Sequence, residues 1–271
     1  MAHPQIATFA RLADANAKPI RKLEGQKTLL GRTMHAVAYD EIHDEFMVPV
    51  PLSQSILIFR GAAQGDEAPI RVIQGPKTQL IEPERLAVDP ANNEIYVPHD
   101  DTILVFPRAA NGDAAPVRIL KGPDTGLGAG AVGVDTIRNL LVVGGGGGGQ
   151  GGGSRFRIYD RTAQGNTKPK RVIGGPKSGF LSMGGPFAVY SPKGWIITTV
   201  RGRGELASNE AYLGIWNVED EGDVPPRWRV GGPNGVFQMP RGVTIDAKNK
   251  SIIASDKRLN AVMTFYFPEA F

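Results

Sequence analysis

An all-β repeat fold is predicted by three observations. The first is a pattern that recurs along the chain. An apolar run ends in an aromatic, small residues and a Gly-Asp pair or variant follow, then Pro, then an Arg-containing apolar run ending in Gly-Pro. Two clear copies read SILIFRGAAQGDEAPIRVIQGPKT and TILVFPRAANGDAAPVRILKGPDT. FRIYDRTAQGNTKPKRVIGGPKS and LGIWNVEDEGDVPPRWRVGGPNG come after them, and IATFARLADANAKPIRKLEGQKT is a more degenerate copy ahead of them. The second observation is register. Phe9, Phe59, Phe106, Tyr159 and Trp216 are each followed ten residues later by Pro19, Pro69, Pro116, Pro169 and Pro226. Two residues further stand Arg21, Arg71, Arg118 and Arg171, with Trp228 breaking the series. The third is local chemistry. The apolar runs are short, rich in Val and Ile and bounded by Asp, Asn, Pro and Gly, and no window carries a helical period.

Each repeat then resolves into four strands, A to D from inner to outer. A strands end in a turn signal: HAVAYD (35–40), RLAVDP (85–90), AVGVDT (131–136), FAVYSP (187–192) and GVTIDA (242–247). B strands read EFMVPV, EIYVPH, LLVVGG, WIITTV and SIIASD. C strands end in the aromatic, and D strands carry the Arg. Four-stranded antiparallel units repeated about an axis form a β-propeller, and a repeat of roughly 47–57 residues suits one. A, B and D strands are each counted five times. The C type occurs six times, because NAVMTFYF (260–267) aligns with it. The sequence therefore predicts one domain over 1–271 with five blades, in repeats of about 1–54, 55–101, 102–154, 155–211 and 212–271. The N-terminal segment supplies the missing D strand of the last blade and so removes free edges. Six blades is the alternative.

Composition narrows function. No Cys is present, which excludes a disulfide scaffold, thiolate metal sites and Cys nucleophiles. Lys and Arg number 31 against 27 Asp and Glu, without a basic block that reads as a nucleic-acid stripe. No apolar run is long enough to span a membrane. No nucleophile elbow, zinc-protease pair or dinucleotide fingerprint occurs. A monomer without a cofactor is expected.

The stretch LAVDPANNEIYVPHDDTILVF resembles the NHL-type repeat of β-propellers, where an inner strand ends in Asp, an Ile-Tyr-Val strand follows a turn and a third strand ends in Val-Phe. At repeat level the resemblance covers nearly the whole chain. It implies the propeller fold, and the chain is also similar to uncharacterised bacterial propellers that are usually secreted. Periplasmic or extracellular placement is thus expected, although MAHPQIATF shows no basic n-region or apolar h-region.

In a propeller the D–A and B–C connections share one face. Here that face carries the GP-K-T segments and two enlarged loops, Gly144 to Ser154 and Arg201 to Ala211. It is the expected binding face. The Asp turns and Gly-Asp turns of the opposite face read as turn chemistry. GGGGGGQGGGS lacks the following Lys and helix of a phosphate loop and reads as a surface loop that could fold over a ligand.

Residues at A-strand starts and B-strand ends should rim the central channel. This gathers His35, Glu84, Arg85, His99, Arg201 and Arg241 into a net-positive candidate ligand site. Carboxylate or phosphate would suit its arginines. Mutual hydrogen bonding of solvated residues is the competing reading. Six-bladed relatives that are calcium-dependent lactonases or phosphotriesterases hold their metal with Glu and several Asn or Asp. The inner positions here offer one Glu with His, Gly, Pro and Arg, too few oxygens for calcium. His35, His99 and Glu84 have zinc-ligand chemistry, but adjacent arginines oppose a cation, so no metal is expected. If the protein is an enzyme, His35 or His99 would act as general base and Arg241 as electrophilic stabiliser, in a lactonase-like hydrolase or a lyase like those that open cyclic peptides. His43 is expected at a surface turn. The repeated arginines are expected to pair with a neighbouring blade or with the Gly-Asp turn. The resulting expectation is a non-enzymatic binding module for an anionic small ligand or a protein partner, with the hydrolase or lyase as alternative.

Overall fold

The computed structural model describes residues 4–128, 130–146, 154–179, 182–183, 185–201 and 210–271. The fold is all-β, a five-bladed β-propeller of antiparallel blades. The first blade runs Ala38–Asp40, Glu45–Val50, Ser55–Arg60, Arg71–Ile73, each strand bonded to the next. The second has Ala87–Asp89, Glu94–His99, Thr102–Pro107 and Arg118–Lys121. The third has Ala131–Asp135, Leu140–Gly145, Arg155–Asp160 and Arg171–Ile173. The fourth has Ala188–Tyr190, Trp195–Arg201, Tyr212–Asn217 and Trp228–Gly231, with the short strand Ser182–Met183 also paired to Trp195–Arg201. Pro240–Asp246, Ser251–Asp256 and Ala261–Tyr266 form the ladder of the fifth. Two compact units can be distinguished, residues 1–97 with 104–117 and residues 98–103 with 118–271.

One expectation about closure is corrected. Gln5–Thr8 pairs with Arg21–Glu24, Ile6 opposite Leu23, as a two-stranded sheet. Among the described residues Ala261–Tyr266 has Ser251–Asp256 as its one bonded neighbour. The reason is local. The N-terminal segment contains both a C-type strand and its own D-type strand, so the pairing that closes a short loop is satisfied first.

The B and C strands of the first four blades are buried on both faces, which is why they read as continuous apolar runs, whereas Ala261–Tyr266 of the fifth alternates between half-buried and exposed. Ser55–Arg60 is buried over its first five residues, and Thr102–Pro107 and Arg155–Asp160 over four. In the first unit Leu23, Val48, Val50, Leu57, Phe59 and Ala63 form a core cluster. In the second, Phe156 meets Phe187 edge-on at 5.0 Å and packs beside buried Trp216. Apolar burial at about 25 cal/mol per Å² is the main stabilising term.

The Asp turns behave as the sequence implies. Asp40 accepts the backbone N–H of Ile42 and His43 at 3.0 Å, and Asp135 those of Ile137 and Arg138. The second carboxylate oxygen takes a side chain: His43 Nδ1 lies 2.8 Å from Asp40 Oδ2, and Asn92 Nδ2 donates to Asp89 at 2.8 Å. Asp256 accepts four backbone N–H groups. Burial alone would raise its pKa, but those bonds outweigh it and the net shift is downward.

The Gly-Asp turns do more than turn. Each reaches the D strand and D–A connection of the preceding repeat. Backbone N–H groups of Lys27, Lys77, Asp124 and Lys177 donate to Asp66, Asp113, Asn166 and Asp223, all at 2.7 Å. Leu23, Ile73, Leu120 and Ile173 form parallel bridges to Gly65, Gly112, Gly165 and Gly222. The donor segment is braced from within, since the hydroxyls of Thr28, Thr78, Thr125 and Ser178 donate to the carbonyls of Gly25, Gly75, Gly122 and Gly175 at 2.6 Å. Gly75 has φ +135, and a methyl there would strike the Asp113 carboxylate. The GP-K-T segments are therefore seams between repeats and not free binding loops. The C–D connection is long enough to fold back along the neighbouring strand.

Arg71 is structural, as expected, but its partner differs. It forks onto Glu45 of its own blade, NH1 to Oε1 at 2.9 Å and NH2 to Oε2 at 2.5 Å. Arg108 of the next blade adds a 2.8 Å bond to the same carboxylate. The Gly-Asp acid is already engaged by the seam, so the arginine takes the nearer B-strand acid instead. The Arg71 hydrogen bond, with both positive charges, holds the Glu45 carboxyl below its ordinary pKa.

Candidate functional site

The structure brings three of the expected site residues together. His35 Nδ1 lies 3.4 Å from Glu84 Oε1, and Arg85 NH1 lies 3.8 Å from the other Glu84 oxygen. His35 and Glu84 are about half exposed, so this is a solvated cluster whose carboxylate is shared between an imidazole and a guanidinium. All three sit just before A strands of the first unit. His99, Arg201 and Arg241 belong to the second unit. His99 ends its B strand and faces the exposed Asp100 at 3.6 Å. Arg201 ends the fourth B strand, opposite Ser182 in the ladder. Arg241 lies inside its strand, where a methyl on Gly185 would strike its carbonyl. Among the described residues no three His, Asp or Glu side chains are grouped to hold a metal ion. Positions 147–153 of the Gly-rich stretch and 202–209 of the other enlarged loop lie outside the described residues.

A pocket of about 520 Å³ opens on the fourth blade, between the end of its B strand and the D–A connection. Arg201, Glu210, Tyr212, Arg229, Gly231 and Pro233 contribute to its lining. The Arg229 guanidinium stacks 4.7 Å above the Tyr212 ring, which orients it while its edge stays available for hydrogen bonding. The Tyr212 hydroxyl reaches the carbonyls of Ser178 and Gly179 at 3.4 and 3.5 Å, and burial pushes its pKa up. Tyr212 is thus a neutral donor, both arginines supply positive charge, and Glu210 brings one carboxylate to the same lining. The matching place in the first blade is a pocket of about 490 Å³ lined by Ser53, Gln54, Gln74 and Gln79 among others, without a charged side chain.

Sequence reasoning found Arg201 but missed Arg229 and Tyr212. Arg229 follows Trp228, the residue that breaks the Arg series, and the register shift there was the available signal. Arg157 was also missed. It occupies the centre of a C strand at the position of Leu57 and Leu104 and is 6% exposed.

No protein-family model and no curated protein matches the chain. Solved structures do. A chain of the mitotic checkpoint complex aligns with TM-score 0.58 and 12% identity, over 92% of this chain and 65% of that one. Hydrazine synthase of Kuenenia stuttgartiensis aligns with TM-score 0.59 and 14% identity, over 86% of this chain and 64% of its own. At such identities the likeness shows the β-propeller fold alone, and this chain spans somewhat under two thirds of the length of each. Among the described residues no helix is long and apolar enough to cross a membrane.

Proposed function

We propose that the chain is a non-enzymatic binding module, a single NHL-type propeller domain over 1–271, that takes a small carboxylate- or phosphate-bearing ligand on the face of its D–A and B–C connections. The observation carrying this reading is the fourth-blade pocket, which Arg201 and Arg229 line together with Tyr212 and a single carboxylate, Glu210. Two guanidinium groups match an oxyanion in charge and in forked geometry. Equivalent positions of the first blade are neutral, so the charge is particular to this site and not a requirement of the repeat. His35, Glu84, Arg85, His99 and Arg241 are proposed as further ligand contacts, and the NHL resemblance supports export from the cytoplasm.

Isothermal titration with succinate and with glycerol phosphate tests the reading. Wild type should bind at least one of them, and Arg201→Ala and Arg229→Ala should each weaken binding tenfold or more, the cost of about one charge-assisted bond. His35→Ala and Arg241→Ala, titrated in parallel, report whether the remaining residues contribute. Identical isotherms for wild type and both pocket variants would remove the proposal.

A further inference from the structure

The N-terminal hairpin is half a blade. In the first blade the C strand Ser55–Arg60 lies between the B strand Glu45–Val50 and the D strand Arg71–Ile73. Gln5–Thr8 and Arg21–Glu24 are a C–D pair alone. The D edge is seamed, since Glu24 N–H donates to the Gly65 carbonyl at 2.9 Å and Gly65 N–H to the Lys22 carbonyl at 2.7 Å. The C edge has no bonded strand among the described residues. The Thr8 carbonyl accepts Ile20 N–H on the hairpin side, so the N–H and C=O of Ala7 point to the free edge. An uncovered edge is a template for another strand.

A cavity of about 390 Å³ adjoins this hairpin, and all of its lining belongs to the first unit. Ile6, Thr8, Arg21 and Leu23 line it from one face of the hairpin, so alternate side chains of a strand added beside Gln5–Thr8 would enter the same cavity. The acid of the lining, Asp44, accepts the Tyr39 hydroxyl at 2.7 Å. The cation, Arg21, makes no hydrogen bond or ion pair among the described residues, and its Nε is buried. The other blades show where its partner would come from. Arg71, in the same register, forks onto Glu45 at the start of its own B strand. The third blade has Leu140 in the place of Glu45, and its Arg171 makes no ion pair among the described residues. The acid for a D-strand arginine is thus a B-strand residue, and the hairpin has no B strand.

We propose that this edge is a strand acceptor: an extended segment of a partner protein pairs antiparallel with Gln5–Thr8, where a B strand is missing, and carries a Glu that meets Arg21. The first blade sets the register. Arg71 is opposite Ile58 as Arg21 is opposite Thr8, and Glu45 is opposite Arg60, two residues beyond Ile58. The partner's Glu therefore stands opposite Ala10, and the second and fourth residues after it, opposite Thr8 and Ile6, are apolar and fill the cavity. The recognised pattern is Glu-x-apolar-x-apolar. The inference does not rest on the fourth-blade pocket.

The test is fluorescence anisotropy of the full chain with a labelled peptide of the second blade's B strand, NNEIYVPH (92–99), which has this pattern. Wild type should bind it saturably. Arg21→Ala in the protein and Glu94→Gln in the peptide should each weaken binding about tenfold, and the two together no more than either alone. Ala7→Pro removes an N–H of the free edge and no bond to Arg21–Glu24, and should weaken binding as well. Arg229→Ala should leave it unchanged. The peptide substitution leaves the protein untouched, so it decides the matter where a protein variant folds poorly. Absence of saturable binding overturns the proposal, as does a Gln peptide or an Arg21→Ala protein that binds like the parent. A loss on Arg229→Ala would assign the peptide to the fourth-blade pocket and overturn it too. Sedimentation velocity of the chain alone covers the other occupant: a dimer that Ala7→Pro dissociates would mean that a second copy fills the edge, against a partner segment.

Discussion

The first and fourth blades carry a pocket at the same place in the repeat, between the B–C turn and the D–A connection, and line it with different chemistry. In the first, Ser53, Gln54, Gln74 and Gln79 present neutral amides and a hydroxyl. In the fourth, Arg201 and Arg229 present two positive charges, Glu210 a carboxylate and Tyr212 a neutral hydroxyl. The cavities are close in size, about 490 and 520 Å³, so shape is a product of the repeat and chemistry is not. The seam beneath them also divides the two blades. At Gly75 the seam is filled by Asp113, whereas at Gly232, the matching residue of the fourth blade, nothing among the described residues lies within 4 Å of the side-chain position. Positions that repeat their partners belong to the frame. Positions that repeat only their geometry are free to carry function.

The largest effect is expected where the first blade concentrates charge. Glu45→Ala should remove about 3 kcal/mol of stability in urea melts, because it strands Arg71 and the Arg108 bond at a carboxylate only 11% exposed. The same group sets a pH dependence. Its folded pKa lies below the unfolded value, so its contribution is present above the usual carboxylate range and is lost as pH falls through the folded pKa. Glu45→Gln should flatten that acid limb, and an unchanged limb would assign the acid sensitivity to other groups.

A matched pair of glycine substitutions sharpens the contrast between the blades. Gly75→Ala should cost about 2–3 kcal/mol, since a positive φ and the Asp113 carboxylate both oppose a methyl. Gly232→Ala meets φ +102 but no neighbour and should cost about 1 kcal/mol. Equal costs would mean that backbone strain alone decides both positions and that the seam contributes nothing measurable. The smallest effect is expected at Lys77→Ala, within about 0.5 kcal/mol, because the seam takes the backbone N–H of that residue and not its side chain.

Much of the frame was legible in the sequence. Val and Ile runs between Asp, Asn and Gly marked the strands, and the aromatic-to-proline spacing fixed their register. Asp40, Asp89 and Asp135 declared their turns because an Asx turn needs only residues two or three apart. The seams were hidden because Asp66 or Asp113 reads locally as a turn residue, and its bond is to a residue 39 or 36 positions away. The N-terminal pairing was misjudged because counting strand types does not say which of two C-type strands a D-type strand will choose. At the site, Arg201 was visible as an arginine beside an enlarged loop. Arg229 and Arg157 were not, since each sits inside a strand where a charge looks like ordinary variation, although the first two blades hold Leu57 and Leu104 at the position of Arg157.

At four seams, one hydrogen bond that joins a repeat to the next runs from a main-chain amide to an Asp or Asn side chain. An amide is present whatever side chain is attached to it. A tandem duplication of one whole unit would therefore bring along both halves of its joint, and the new copy would dock without any compensating substitution.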